Sequence, residues 1–69
     1  MTMKKTIDFP PYTEAEVVGV AEDGSVLCNL YGVEDGVEYR DQSILFPPDS
    51  VVLRLTDKER AKVKALCTQ

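Results

Sequence analysis

The sequence predicts an α+β domain, an antiparallel meander of three or four strands closed by one C-terminal α-helix. Three observations carry that expectation. The triplets Glu22-Asp23-Gly24 and Glu34-Asp35-Gly36 separate short segments rich in β-branched and aromatic residues, the pattern of strands joined by tight turns. Proline pairs at 10–11 and 47–48 fall where neither a helix interior nor a central strand can continue, because proline fixes φ and donates no hydrogen bond. From Thr56 onward the chain turns to alanine, lysine, arginine and leucine behind the capping-box spacing Thr56-x-x-Glu59. A small SH3-like or OB-like barrel with an appended helix is the alternative, since closure would protect the sheet edges.

The elements follow in order. With 69 residues the chain has room for a single small domain, spanning 1–69. Residues 1–8 are expected to form a loose leader, at most framing a short first strand. Phe9-Pro10-Pro11-Tyr12 breaks the chain, and the sheet is expected over residues 14–55. Glu14 to Ala21 reads as a strand, with Asp23-Gly24 supplying the positive φ of the following turn. On the return strand, Ser25 to Tyr31, alternation puts Val26, Cys28 and Leu30 on one face and Leu27, Asn29 and Tyr31 on the other. Gly32 to Gly36 is expected as the second turn and Val37 to Phe46 as the next strand. After Pro47-Pro48-Asp49-Ser50, the run Val51 to Leu55 reads as a last, buried strand. A helix over 57–67 closes the domain, with Val63, Leu66 and Cys67 as its narrow apolar stripe. Phe9 and Phe46, each next to a proline pair, are expected to tuck into the core.

Composition excludes several chemistries. There is no histidine and no Cys-x-x-Cys pair, so neither a zinc site nor a histidine-based nucleophile has its ligands or base. No glycine-rich phosphate loop or dinucleotide fingerprint is present, and no enzyme activity, cofactor or metal is expected. The two acidic triplets do not continue as calcium loops, and successive meander turns lie at opposite ends of a sheet, so one ion cannot join them. Cys28 and Cys67 could close a long loop, but two unpatterned cysteines without a secretory signal are better read as reduced, with Cys28 in the core. Met1 to Lys5 is followed by Thr6-Ile7-Asp8 rather than an apolar stretch, so a cytoplasmic location is expected. No run of about 18 apolar residues exists to span a membrane.

The net charge of −4 conceals an uneven distribution. Residues 1–5 sum to +2, residues 6–53 to −9 and residues 54–69 to +3. In the middle segment Arg40 stands alone against ten carboxylates. Direct DNA binding by this body is not expected, because counterion release requires Lys and Arg facing phosphate. A basic protein partner is expected instead, with Glu14, Glu16, Glu22, Asp23, Glu34, Asp35, Glu38 and Asp41 as the partner-binding residues.

In size, acidity and lack of catalytic residues, and in the carboxylates just named with their two Glu-Asp-Gly triplets, the chain resembles small phage-encoded inhibitors of the anti-CRISPR and anti-restriction (DNA-mimic) kind. The resemblance is one of class and extends over the whole chain. It implies a non-enzymatic inhibitor that occupies a nucleic-acid-binding groove, with a CRISPR effector complex that reads target DNA as the partner. Two other readings stand beside it. One is a structural or adaptor module of a phage or bacterial assembly, in which strand addition or homodimerisation covers open edges. The other is a small nucleic-acid-binding barrel that stacks bases on Tyr31 and Tyr39.

Overall fold

The computed structural model describes residues 2–67, Cys67 by its backbone alone. Strands β1 (Met3–Phe9), β2 (Tyr12–Val20), β3 (Val26–Glu34) and β4 (Val37–Phe46) form one antiparallel sheet in the order β1-β2-β3-β4. Helix α1 (Asp57–Cys67) follows and packs chiefly across β2. This is the expected α+β meander. The sheet is open, with β1 and β4 as its edges, and not a closed barrel.

Alternation along the strands sorts the side chains into two layers. Met3 and Ile7 of β1, Ala15 and Val17 of β2, and Val26, Cys28 and Leu30 of β3 all point to the inner face. Phe46, Leu53, Leu55 and Val63 of α1 complete the core over them. Burying one such aliphatic side chain stabilises the fold by about 1.5–3 kcal/mol. Val63 holds the helix to that face, while Leu66 is half-buried at its edge. The capping box forms as the spacing predicts. Glu59 N–H donates to Thr56 Oγ1 at 3.1 Å and Thr56 N–H to Glu59 Oε1 at 2.9 Å.

Four local expectations need correction. Residues 3–9 are a full strand rather than a loose leader, paired with β2 from Met3↔Val17 to Phe9↔Tyr12. The second turn is shorter than Gly32 to Gly36: β3 runs on to Glu34, and Asp35 (φ 52°) and Gly36 (φ 78°) alone make a two-residue turn of the type that matches strand twist. Gly32 instead sits inside β3, where the backbone of Pro11 and Tyr12 crosses it so closely that a Cβ would lie 2.1 Å from the Pro11 carbonyl oxygen. Residues 51–55 are not a strand. Ser50 Oγ accepts hydrogen bonds from Val52 N–H (3.1 Å) and Leu53 N–H (3.5 Å), bending the segment so that Leu53 and Leu55 plug the core while Val51 stays 98% exposed. Phe9, finally, is not tucked in but 41% exposed at the rim, stacked on Tyr12 and edge-on to the buried Phe46.

Cys28 is a free thiol in the core, and burial pushes its pKa up to about 11, as expected of an inert structural cysteine. The Cys67 side chain lies outside the described residues.

Candidate protein-binding surface

The helix covers only the inner face, so the outer face of the sheet is open. Glu14 and Glu16 of β2 point outward because Ala15 and Val17 point in. Across the ladder Glu14 is opposite Thr6 and Tyr31, and Glu16 is opposite Lys4 and Asn29. Further along, Val33↔Glu38 and Tyr31↔Arg40 put Glu38 and Arg40 on the same outer face. The outer face therefore carries three of the expected binding carboxylates, Glu14, Glu16 and Glu38, with Lys4 and Arg40 among them.

Glu16 is the organised member of this group. Its carboxylate accepts hydrogen bonds from Thr2 Oγ1 (3.0 Å), Asn29 Nδ2 (3.3 Å) and the Tyr31 hydroxyl (3.0 Å). The Asn29 bond, then those from Thr2 and Tyr31, hold it below the usual carboxylate range, so it stays anionic. The same contact raises the Tyr31 phenol, which is kept as a donor.

The other expected residues divide. Glu22 and Asp23 lie in the β2–β3 turn, where Asp23 Oδ1 accepts from Ser25 N–H at 2.8 Å and is lowered by that bond. Glu34, the last residue of β3, and Asp35, the first of the turn, are exposed at the opposite end of the sheet. Asp41 falls on the inner-face side of β4, opposite Leu30, and accepts a hydrogen bond from the Tyr12 hydroxyl at 2.6 Å. So three of the eight carboxylates lie on the outer face, Glu22, Asp23 and Asp35 sit in the turns at the two ends of the sheet, and Glu34, like Asp41, falls on the inner-face side by alternation.

Among the described residues the one salt bridge is Lys5–Glu59 (2.8 Å), which ties β1 to the helix on the inner side. Lys5 Nζ also donates to the Arg54 carbonyl oxygen at 2.8 Å. Lys58, Lys62 and Lys64 are exposed on α1. The helix cations thus lie behind the sheet, and none of them is in contact with the outer carboxylates.

An open depression of about 500 Å3 lies where β2 leaves β3, with Glu14, Tyr31, Gly32, Glu38, Tyr39 and Arg40 among its walls. Its lining sets two carboxylates and two phenols beside the Arg40 guanidinium. At the other end of the sheet Gly19, Leu27 and Leu45 line a smaller apolar dent of about 240 Å3. Tyr31 and Tyr39 occupy opposite faces, because Tyr31 pairs with Arg40 and Tyr39 with Gly32. No group of three or more Cys, Asp or Glu residues suited to a metal is present among the described residues, and no helix among them is long and apolar enough to cross a membrane.

The residue that sequence reasoning missed is Arg40. In the sequence it stands only as the lone cation of an acidic stretch, whereas the two-residue turn places it beside Glu38 on the outer face of an edge strand. Comparison with protein-family models, with curated proteins and with solved structures gives no match.

Proposed function

We propose that this chain is a non-enzymatic, acidic protein-binding inhibitor that occupies a nucleic-acid-binding groove on a basic partner. The observation that carries the reading is the separation of charge across the sheet. Glu14, Glu16 and Glu38 occupy the outer face, with Lys4 and Arg40 among them, and Glu22, Asp23, Glu34 and Asp35 lie at the two ends of the sheet, while Lys58, Lys62 and Lys64 sit on the helix behind. The molecule is 37 Å along its longest axis, close to the roughly 34–36 Å of one turn of duplex DNA. One turn carries about 20 phosphates, so the match to DNA is partial: the anionic surface competes for a groove without copying the duplex charge for charge. An anionic face also raises the rate of encounter with a basic groove. A CRISPR effector complex or a restriction nuclease is the class of partner proposed.

The test is competition. A panel of CRISPR effectors and restriction nucleases is loaded with labelled duplex and titrated with the protein at about 50 mM salt, where electrostatic attraction is strong. The expected result is displacement of DNA from one member. That displacement weakens as salt rises, and the variant Glu14→Gln/Glu16→Gln/Glu34→Gln/Asp35→Asn loses it. DNA occupancy unchanged across the panel at low salt would overturn the reading. The open edges β1 and β4 favour a second reading, an adaptor within a larger assembly, which predicts a stable complex that leaves DNA binding untouched.

A further inference from the structure

We propose that the free edge of β4 pairs with β4 of a second copy of this chain, in one register set by Glu38 and Arg40. The inference goes beyond the inhibitor reading and does not depend on it.

The argument starts from the turn. Asp35 and Gly36, both at positive φ, close a two-residue hairpin in which Glu34 and Val37 are the terminal hydrogen-bonded pair. Antiparallel ladders alternate, so Val37, Tyr39 and Asp41 direct their N–H and C=O groups to β3. Glu38, Arg40 and Gln42 direct theirs outward, away from the sheet. β4 is an edge strand, and every residue from Val37 to Ser43 is exposed. The free stretch ends at Ser43, whose φ of 59° marks a bulge and whose N–H donates to Asn29 Oδ1 at 3.1 Å. This leaves a six-residue hydrogen-bonding edge that no other strand covers among the described residues.

The sequence of that edge is self-complementary. In an antiparallel pair of two copies centred on Tyr39, outward-directed residues meet outward-directed residues. Glu38 of each copy then lies opposite Arg40 of the other, giving two cross-strand pairs of opposite charge. Shifting the pairing by two residues in either direction sets Glu38 against Glu38 or Arg40 against Arg40. Shifting it by one residue mismatches donors, acceptors and faces. Charge therefore selects a single register. Tyr39, 37% exposed and uncovered by the helix, meets Tyr39 of the second copy across the axis, and Val37, 52% exposed, gains cover. The two sheets join into one of eight strands with both helices on the same side. Glu14, Glu16 and the β2–β3 turn remain away from the seam.

Sedimentation equilibrium at concentrations up to about 1 mM and near-physiological salt tests the state directly. The wild type is expected to dimerise. Arg40→Glu, which converts both pairs to like charges, weakens dimerisation by about tenfold or more. The double variant Glu38→Arg/Arg40→Glu restores it, since the swapped pairs are again complementary; circular dichroism checks that each variant is folded. Tyr39→Cys in a Cys67→Ser background supplies an independent readout. The two Tyr39 positions form a non-hydrogen-bonded pair with Cα atoms about 4.5 Å apart, within disulfide reach. Mild oxidation is therefore expected to cross-link them. Val37→Cys, offset from its own copy by four residues or about 13 Å, does not cross-link. A wild type that stays monomeric at the highest concentration overturns the proposal, as does a dimer indifferent to Arg40→Glu. Cross-linking of Val37→Cys in preference to Tyr39→Cys would refute the register. Each readout is the oligomeric state, so failure here is distinct from failure of the inhibitor reading.

Discussion

Gly32 is fixed by backbone contact rather than by the turn its neighbours suggest. A Cβ there would meet the Pro11 carbonyl oxygen at 2.1 Å and Tyr12 Cα at 2.7 Å, and backbone does not swing aside as a flexible side chain does. Gly32→Ala is expected to cost about 2–4 kcal/mol by forcing β2 off β3. Gly19 has nothing within 4 Å of its Cβ position, and Gly19→Ala is expected to be neutral or stabilising by about 0.5 kcal/mol. Chemical denaturation of the two variants makes the comparison, and equal losses would contradict the close-approach account. In sequence, a glycine four residues before Gly36 reads as part of a turn, because the crossing of Pro11 over it is a contact 21 positions away. Cys28, by contrast, was legible, since its place in the alternation Val26-Cys28-Leu30 is local.

Among the elements, α1 was legible to its first residue because a capping box is local chemistry written in four positions. The β1 strand was hidden by Lys5, a charge on the face that alternation reserves for apolar side chains. Lys5 is accommodated there because its ammonium reaches Glu59 Oε1 and the Arg54 carbonyl, some 50 positions ahead in the chain. The run 51–55 misled in the opposite direction, since a short apolar stretch is strand-like whether or not a neighbouring strand is free to pair with it. The Lys5–Glu59 contact sets a pH dependence. The Lys5 bond, then that from Thr56, lowers Glu59 below its ordinary value of 4.5. Its contribution is complete above that value and is lost as pH falls through the lower folded value, where the unfolded chain has already taken up the proton. Thermal stability is therefore expected to fall below pH 4.5, and the fall to be smaller in Glu59→Gln. Thr56→Ala, which removes the cap at all pH values, is expected to cost about 1 kcal/mol. An acid melting profile identical in wild type and Glu59→Gln would contradict this coupling.

At the scale of the whole molecule, the charge blocks of the sequence become layers. The −9 middle segment runs from β1 through β4 and on to Leu53, the +2 segment places Lys4 and Lys5 at the start of β1, and the +3 C-terminal segment includes the helix laid on the inner face. That separation was foreshadowed by segment sums, and the placement of the two acidic turns at opposite ends follows from any meander. Which carboxylates share the outer face was not legible, because it depends on the two-residue turn at Asp35-Gly36. A turn one residue longer or shorter would exchange Asp41 for Glu38 on that face. The most direct test is a pair of NMR titrations of the labelled protein at low salt, one with an oligo-arginine peptide and one with duplex DNA. The peptide is predicted to shift the amides of Glu14, Glu16, Glu34 and Asp35, and the duplex to shift none. Shifts on Lys58, Lys62 and Lys64 upon adding duplex, with the sheet silent to the peptide, would contradict the account.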